Sequence, residues 1–266
     1  MATRVSTPIT EEATAARFAV RLGFPFAILL AVMAAVGFAL GVLTPPRSGP
    51  FCTGNCTLYP YYPDAGRFFP RDYWWMLPGI TLAPLVLTMA ACVHYCVAPA
   101  RRLFSLLAVC FAAIATAFIT LDYFAQVLVV QPGMAHGQGD GIALLTQYNP
   151  HGLFILLEDL GYLLLAKTFL SLAMALPPAG CRGLRWTLGI VSSLAFLSFI
   201  LLAVRYGIEM ALPFELAVIT VVWIGLIPIG ILLARWFRNE RRQAEGDPRL
   251  LSPSRSAPAL ETDQLP

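Results

Sequence analysis

Six stretches of the chain hold apolar residues at every helical position rather than on one face, and short polar segments separate them. Each is about 20 residues or longer, the length a helix needs to cross roughly 30 Å of hydrocarbon. The pattern predicts helices over residues 24–43, 74–97, 103–130, 151–176, 186–204 and 214–237. The expected fold is all-α: a polytopic membrane helix bundle with six transmembrane helices. Residues 1–23 read as a cytoplasmic N-terminal segment, 24–237 as the transmembrane domain and 238–266 as a disordered cytoplasmic tail. The first run is too long for a signal-peptide core, and Thr44-Pro45-Pro46 follows it where a cleavage site would need small residues. Trp74-Trp75 opens the second helix as an interfacial pair. Pro84 and Pro228 mark expected kink positions by losing a backbone donor. Asn149 followed by Pro150 is a helix start signal, with Asn149 as N-cap.

Charge sets the orientation. Thirteen basic residues fall in the N-terminal segment, the Arg101 and Arg182 turns and the C-terminal end; four (Arg47, Arg67, Arg71 and Arg205) fall on the other side. Basic residues stay cytoplasmic, so both termini are expected inside a bacterial-type inner membrane, with loops 45–73 and 131–149 outside. Composition agrees: 58% of residues are hydrophobic and 12% charged, where soluble domains run near a quarter charged. A net charge of +3 gives no reason to expect nucleic acid. The Arg-rich tail suits anionic lipid headgroups.

Candidate chemistry lies where charge is expensive. An acid or lysine at the bilayer centre costs roughly 2.5–3.5 kcal/mol on insertion scales. Asp122 on the third helix and Glu158 and Asp159 on the fourth fall at one depth, roughly 10–12 Å below the outer helix ends at 1.5 Å per residue. Gln126 and Tyr162 lie four residues beyond Asp122 and Glu158, on the same faces. These five form a candidate polar intramembrane site, for a proton or cation or else as glue between helices. His136, Gln147, Asn149 and His151 form a candidate outer rim. Lys167 sits nearer the cytoplasmic side, where its stem can snorkel. Gly37 and Gly41, four apart, permit close helix approach.

Cys52 and Cys56, in the first outer loop, are a candidate disulfide on the oxidising side. Cys92, His94 and Cys96 do not share a helix face, so no metal is expected, and no motif calls for a cofactor. The stretches 121–132 (LDYFAQVLVVQP) and 147–162 (QYNPHGLFILLEDLGY) resemble a group of uncharacterised microbial multi-helix membrane proteins. The resemblance implies a fold type and no activity. Three functions remain open: a small transporter with a polar site between helices three and four, a non-catalytic sensor, assembly or partner protein, or an enzyme acting on lipid or thiol. No catalytic motif calls for an enzyme.

Overall fold

The computed structural model describes residues 8–63 and 65–246. Among them every regular element is helical, with no strand. Six long helices carry the fold: α1 (Pro8–Leu43), α2 (Met76–Cys96), α3 (Arg102–Ala125), α4 (Leu153–Ala175), α5 (Arg182–Tyr206) and α6 (Ala211–Gly246). Five spans are long and apolar enough to cross a membrane: Glu11–Leu43, Arg71–Cys96, Pro99–Ala135, Arg182–Glu209 and Ala211–Gln243. The remaining long helix, α4, carries Glu158, Asp159 and Lys167.

The helices pack in chain order around a closed ring: α1 on α2, α2 on α3, α3 on α4, α4 on α5, α5 on α6, and α6 back on α1. Short connections between antiparallel neighbours favour this order. Two cross-ring packings break the symmetry, because α4 also meets α6 and α2. α4 therefore touches four of the other five long helices, and 14 of its residues are buried. The helix that carries Glu158, Asp159 and Lys167 within its length is the one the bundle encloses. α5 is the opposite case. It packs only on its two neighbours, and Ile190, Leu194, Leu197 and Leu201 remain exposed along it, an apolar face that suits lipid rather than water.

The ends of the helices differ from the sequence expectation. α1 starts at Pro8 rather than residue 24, because the polar segment before Phe24 is rich in Ala, Glu and Arg, which are good helix formers. α6 continues to Gly246 for the same reason, so the expected tail is helical over 238–246; residues 247–266 lie outside the described residues. α3 does not stop at Val130. A widened π turn over Gln126–Val130 inserts a residue into the ladder, and helix resumes over Gln131–Ala135. α4 begins at Leu153 with Gly152 as its N-cap, not at Asn149. Asn149 instead spends its side chain on the turn before the helix: its amide donates to Ala143 O at 2.7 Å and its carbonyl accepts the His151 N–H at 3.0 Å. Local side-chain bonding of this kind competes with helix capping.

Gly37 serves the interior. A methyl group there would overlap the Trp223 ring of α6, whereas Gly41 has open space around it. Close approach of α1 to α6 thus rests on a residue with no side chain.

The loop between α1 and α2 is organised by one ion pair. Arg47 meets Asp72 through two hydrogen bonds, Nε to Oδ2 at 2.7 Å and Nη2 to Oδ1 at 3.3 Å. The pair is almost fully buried, and the guanidinium also lies 4.1 Å over the Phe68 ring. Thr57 donates to Arg47 O through both its N–H (2.6 Å) and its hydroxyl (3.1 Å), which folds the loop back on itself. Cys52 and Cys56 are joined by a disulfide within that fold.

Removing one partner strands the other as a buried charge, at a cost of about 3–5 kcal/mol. Asp72→Asn and Arg47→Ala are each expected to lower the thermal unfolding midpoint sharply. The double replacement Arg47→Met with Asp72→Leu is expected to recover much of the loss, which thermal melts of the purified chain would check.

Candidate functional site

The site begins with two adjacent residues on α3. Asp122 is 2% exposed and Tyr123 is fully buried, so both point into the bundle. Gly79 on α2 makes room for Tyr123: a Cβ at that position would lie 2.6 Å from the ring. Trp75 then packs edge-on against Tyr123, with ring centroids 5.3 Å apart, and fixes its orientation.

From α4, Glu158 and Tyr162 lie one helical turn apart and face α3 together. The Tyr123 hydroxyl bonds the Glu158 carboxyl at Oε1 and meets the Tyr162 hydroxyl at 3.0 Å. From α6, the Trp223 indole N–H bonds the Tyr162 oxygen at 2.6 Å. The indole can only donate, and the single Tyr123 proton is given to Glu158, so the bond between the two tyrosines runs from Tyr162 to Tyr123. Trp223 donates to Tyr162, Tyr162 to Tyr123, and Tyr123 to Glu158. Each hydroxyl then donates once and accepts once, and the relay ends on a carboxylate oxygen. Such directed chains strengthen one another in a low-dielectric interior.

The second oxygen of Glu158, Oε2, is buried without an N–H or tyrosine donor. The carboxyl of Glu215, four residues into α6 and 7% exposed, lies beside it. A bond between two carboxyls requires a proton on one of them. Asp122 and Asp159 lie within electrostatic range of the same pair. Each also has one buried oxygen with no hydrogen-bond partner, Oδ2 of Asp122 and Oδ1 of Asp159. Four carboxyls from α3, α4 and α6 therefore lie within electrostatic range of Glu215 or Glu158, and no Lys, Arg or His is among the groups that act on them. Lys167 is exposed on the other side of α4, with its ammonium 5.7 Å from the Phe111 ring.

Glu215 connects this cluster to the surface. It lines a half-open cavity of about 260 Å³ at the Leu43 end of α1 and the Ala211 end of α6, together with Trp75, Trp223, Phe38, Arg47 and Tyr148. Burial pushes the Tyr148 hydroxyl above the ordinary tyrosine range, as do nearby Tyr73 and Asp72, while Arg47 pulls it back.

The residues expected from sequence divide into two groups. Asp122, Glu158, Asp159 and Tyr162 come together. Gln126 does not join them. Although it is one turn beyond Asp122, its amide donates to Leu145 O at 2.6 Å and its carbonyl accepts the Gln147 N–H at 2.9 Å, so it clamps the following loop to the π turn. Of the expected rim, Gln147 alone reaches the cavity. His136 is exposed and bonds Pro132 O, and His151 faces Glu209 at 3.5 Å on the surface. Asn149 holds its own turn, as above.

Glu215 escapes the sequence reading because a helix starting at Phe214 places it at the headgroup level. Pro213 carried the signal. Proline is tolerated in the first turn of a helix, so a start at Ala211 was available, and it puts Glu215 more than one turn inside. Tyr123 and Trp223 escape because an aromatic residue in an apolar helix is ordinarily core.

Among the described residues no three His, Cys, Asp or Glu side chains are arranged to hold a metal. His94 Nδ1 is instead paired with Ser105 Oγ at 2.8 Å. Comparison with protein-family models, with curated proteins and with solved structures returned no match to this chain.

Tyr123→Phe removes the donor to Glu158 and breaks the relay in its middle. Leaving such a buried acceptor unsatisfied costs about 1–3 kcal/mol. Chemical or thermal unfolding should show that loss, while Tyr95→Phe, at an exposed position, should stay within about 0.5 kcal/mol of the parent.

Proposed function

We propose that this chain is a six-span protein of a bacterial-type inner membrane, both termini cytoplasmic, whose carboxyl cluster takes up and releases a proton or cation near the outer face. That is the chemistry of a small ion-coupled transporter. The observation that carries the reading is the pair Glu158 and Glu215: two buried carboxyls side by side with no basic partner of their own, one of them lining the cavity whose single guanidinium, Arg47, is held by Asp72. A purely structural acid would be expected to end on a basic residue or backbone amides, as Asp72 ends on Arg47.

The topology is supported by five apolar spans, by the enclosure of α4, and by the distribution of basic residues. The Cys52–Cys56 disulfide is at home on the oxidising side. At the other end of α6, Arg235, Arg238 and Arg242 are exposed, a cationic end suited to anionic headgroups of the inner leaflet. Asp122 and Asp159 flank the pair and make a single negative charge harder to hold there, so the cluster exchanges protons or cations as a unit.

Infrared difference spectroscopy of the reconstituted protein reads the shared proton directly, as a protonated carboxyl C=O band. The band should be present in the parent and absent from Glu158→Gln and from Glu215→Gln. Its persistence in both variants, or fluxes unchanged by both, would overturn the reading. Cysteine accessibility in intact cells checks the topology. Substitutions in loops 45–73 and 131–149 should be labelled from outside, and those near Arg101 and Arg182 should not.

A further inference from the structure

The cavity beside Glu215 is larger than a proton site needs. A water molecule takes about 30 Å³ of liquid volume, so about 260 Å³ has room for several waters or for one small organic ligand. It falls just below the range of about 300–1,000 Å³ seen for small-molecule sites, which limits the occupant to a compact molecule.

Its walls define the chemistry. Trp75 and Trp223, with ring centroids 6.3 Å apart and planes tilted by 55°, present two indole surfaces to it, and Phe38, Phe51 and Tyr148 add aromatic lining. Three charged groups also line the space: Arg47, Asp72 and Glu215. Arg47 is compensated: Asp72 holds it through two hydrogen bonds and Phe68 covers its face. Glu215 is not. It is more than nine-tenths buried, and its electrostatic neighbours are Glu158, Asp159 and Asp122, all acidic. An aromatic box with one uncompensated negative wall attracts a cation that is poorly hydrated and can lie against indole faces within about 6 Å of the ring centroids. It disfavours anions, since the one guanidinium is already taken. A hard divalent ion would need six or more oxygen ligands, which aromatic walls do not supply.

We propose that this cavity binds a small alkylammonium cation, with Glu215 as counter-ion and Trp75 and Trp223 as the faces it rests on. The inference builds on the reading of Glu158 and Glu215 as an exchangeable pair. The cation takes the place of the proton the two carboxyls share. Each cation bound therefore releases up to one proton, and no bond other than that O–H is broken. The groups facing Glu215 are Glu158, Tyr162 and Asp159 on α4, Asp122 and Tyr123 on α3, and Arg47, Asp72 and Tyr148 around the cavity. Acidification protonates carboxyls and removes the attracting charge, so affinity falls as pH is lowered.

Tetramethylammonium is the probe, because it carries no proton of its own and any proton released comes from the protein. Calorimetric titration of the purified full chain, in detergent free of choline lipid and in two buffers of different ionisation heat, reads both binding and proton release. Saturable binding with proton release is expected, weaker at low pH, with neutral tert-butanol failing to compete. Glu215→Gln should weaken binding by at least about tenfold, as should Trp75→Leu, while Trp75→Phe keeps an aromatic face and most of the affinity. If Glu215→Gln does not fold, the parent chain still decides through its pH dependence and the tert-butanol control. A second arm repeats the titration in nanodiscs. Competition in phosphatidylcholine but not phosphatidylglycerol discs identifies a lipid headgroup as the source of the ammonium group; equal binding in both identifies a free solute. No saturable binding to the parent chain overturns the proposal. If the shared-proton infrared band is nevertheless present, the proton-exchange reading stands without it; if the band is absent too, both fall.

Discussion

A carboxyl group inside an apolar bundle must find a donor, a proton or a cation, because the surroundings offer no water to solvate its charge. This bundle holds four such groups, and its asymmetry follows from them. α4 carries two of the four and is the helix that touches most of the others. α3 supplies a tyrosine donor and α6 supplies an indole that anchors the other end of the relay. α2 contributes Gly79, whose missing side chain lets Tyr123 reach its position, and Trp75, which holds it there. α5, with no part in the cluster, is the peripheral helix.

The two ends of the cavity illustrate two solutions to the same cost. Arg47 and Asp72 neutralise each other with a two-bond geometry and an aromatic cover, and they organise the loop between α1 and α2 as a result. Glu158 and Glu215 lie side by side with no basic partner, and a proton shared between them is the solution proposed for that pair. A compensated pair has little to exchange. A carboxyl pair gains or loses a proton without breaking the bundle, because the tyrosine relay continues to satisfy one oxygen of Glu158 in either state. That difference is why the exchange chemistry is assigned to the second pair and a structural role to the first.

The π turn after α3 has a specific consequence for the site. The widened turn and the loop-facing amide of Gln126 go together: the side chain that helical spacing alone would aim at the acids is instead engaged by Leu145 and Gln147. The same contacts draw the 142–148 segment against the outer end of α3 and help place Gln147 and Tyr148 in the cavity wall.

Unbroken apolar runs by themselves determined that the chain is helical and suited to a bilayer, because a helix satisfies its own backbone and needs only apolar side chains around it. Matched positions along two adjacent helices also brought Asp122, Glu158, Asp159 and Tyr162 into one region, since rise per residue is a local property. Helix ends were less legible: Ala-, Glu- and Arg-rich flanks carry no apolar signal, and α1 and α6 extend through them. Tertiary structure alone decided which acids meet. Glu215 and Glu158 are far apart in the chain and are joined because α6 crosses to α4 inside the ring. It also decided that Lys167 faces outward, that Gln126 serves a loop, and that two tryptophans from α6 and the start of α2 share a cavity. Those outcomes depend on helix rotation and cross-ring packing, which an all-round apolar pattern leaves undetermined because it marks no face as inward.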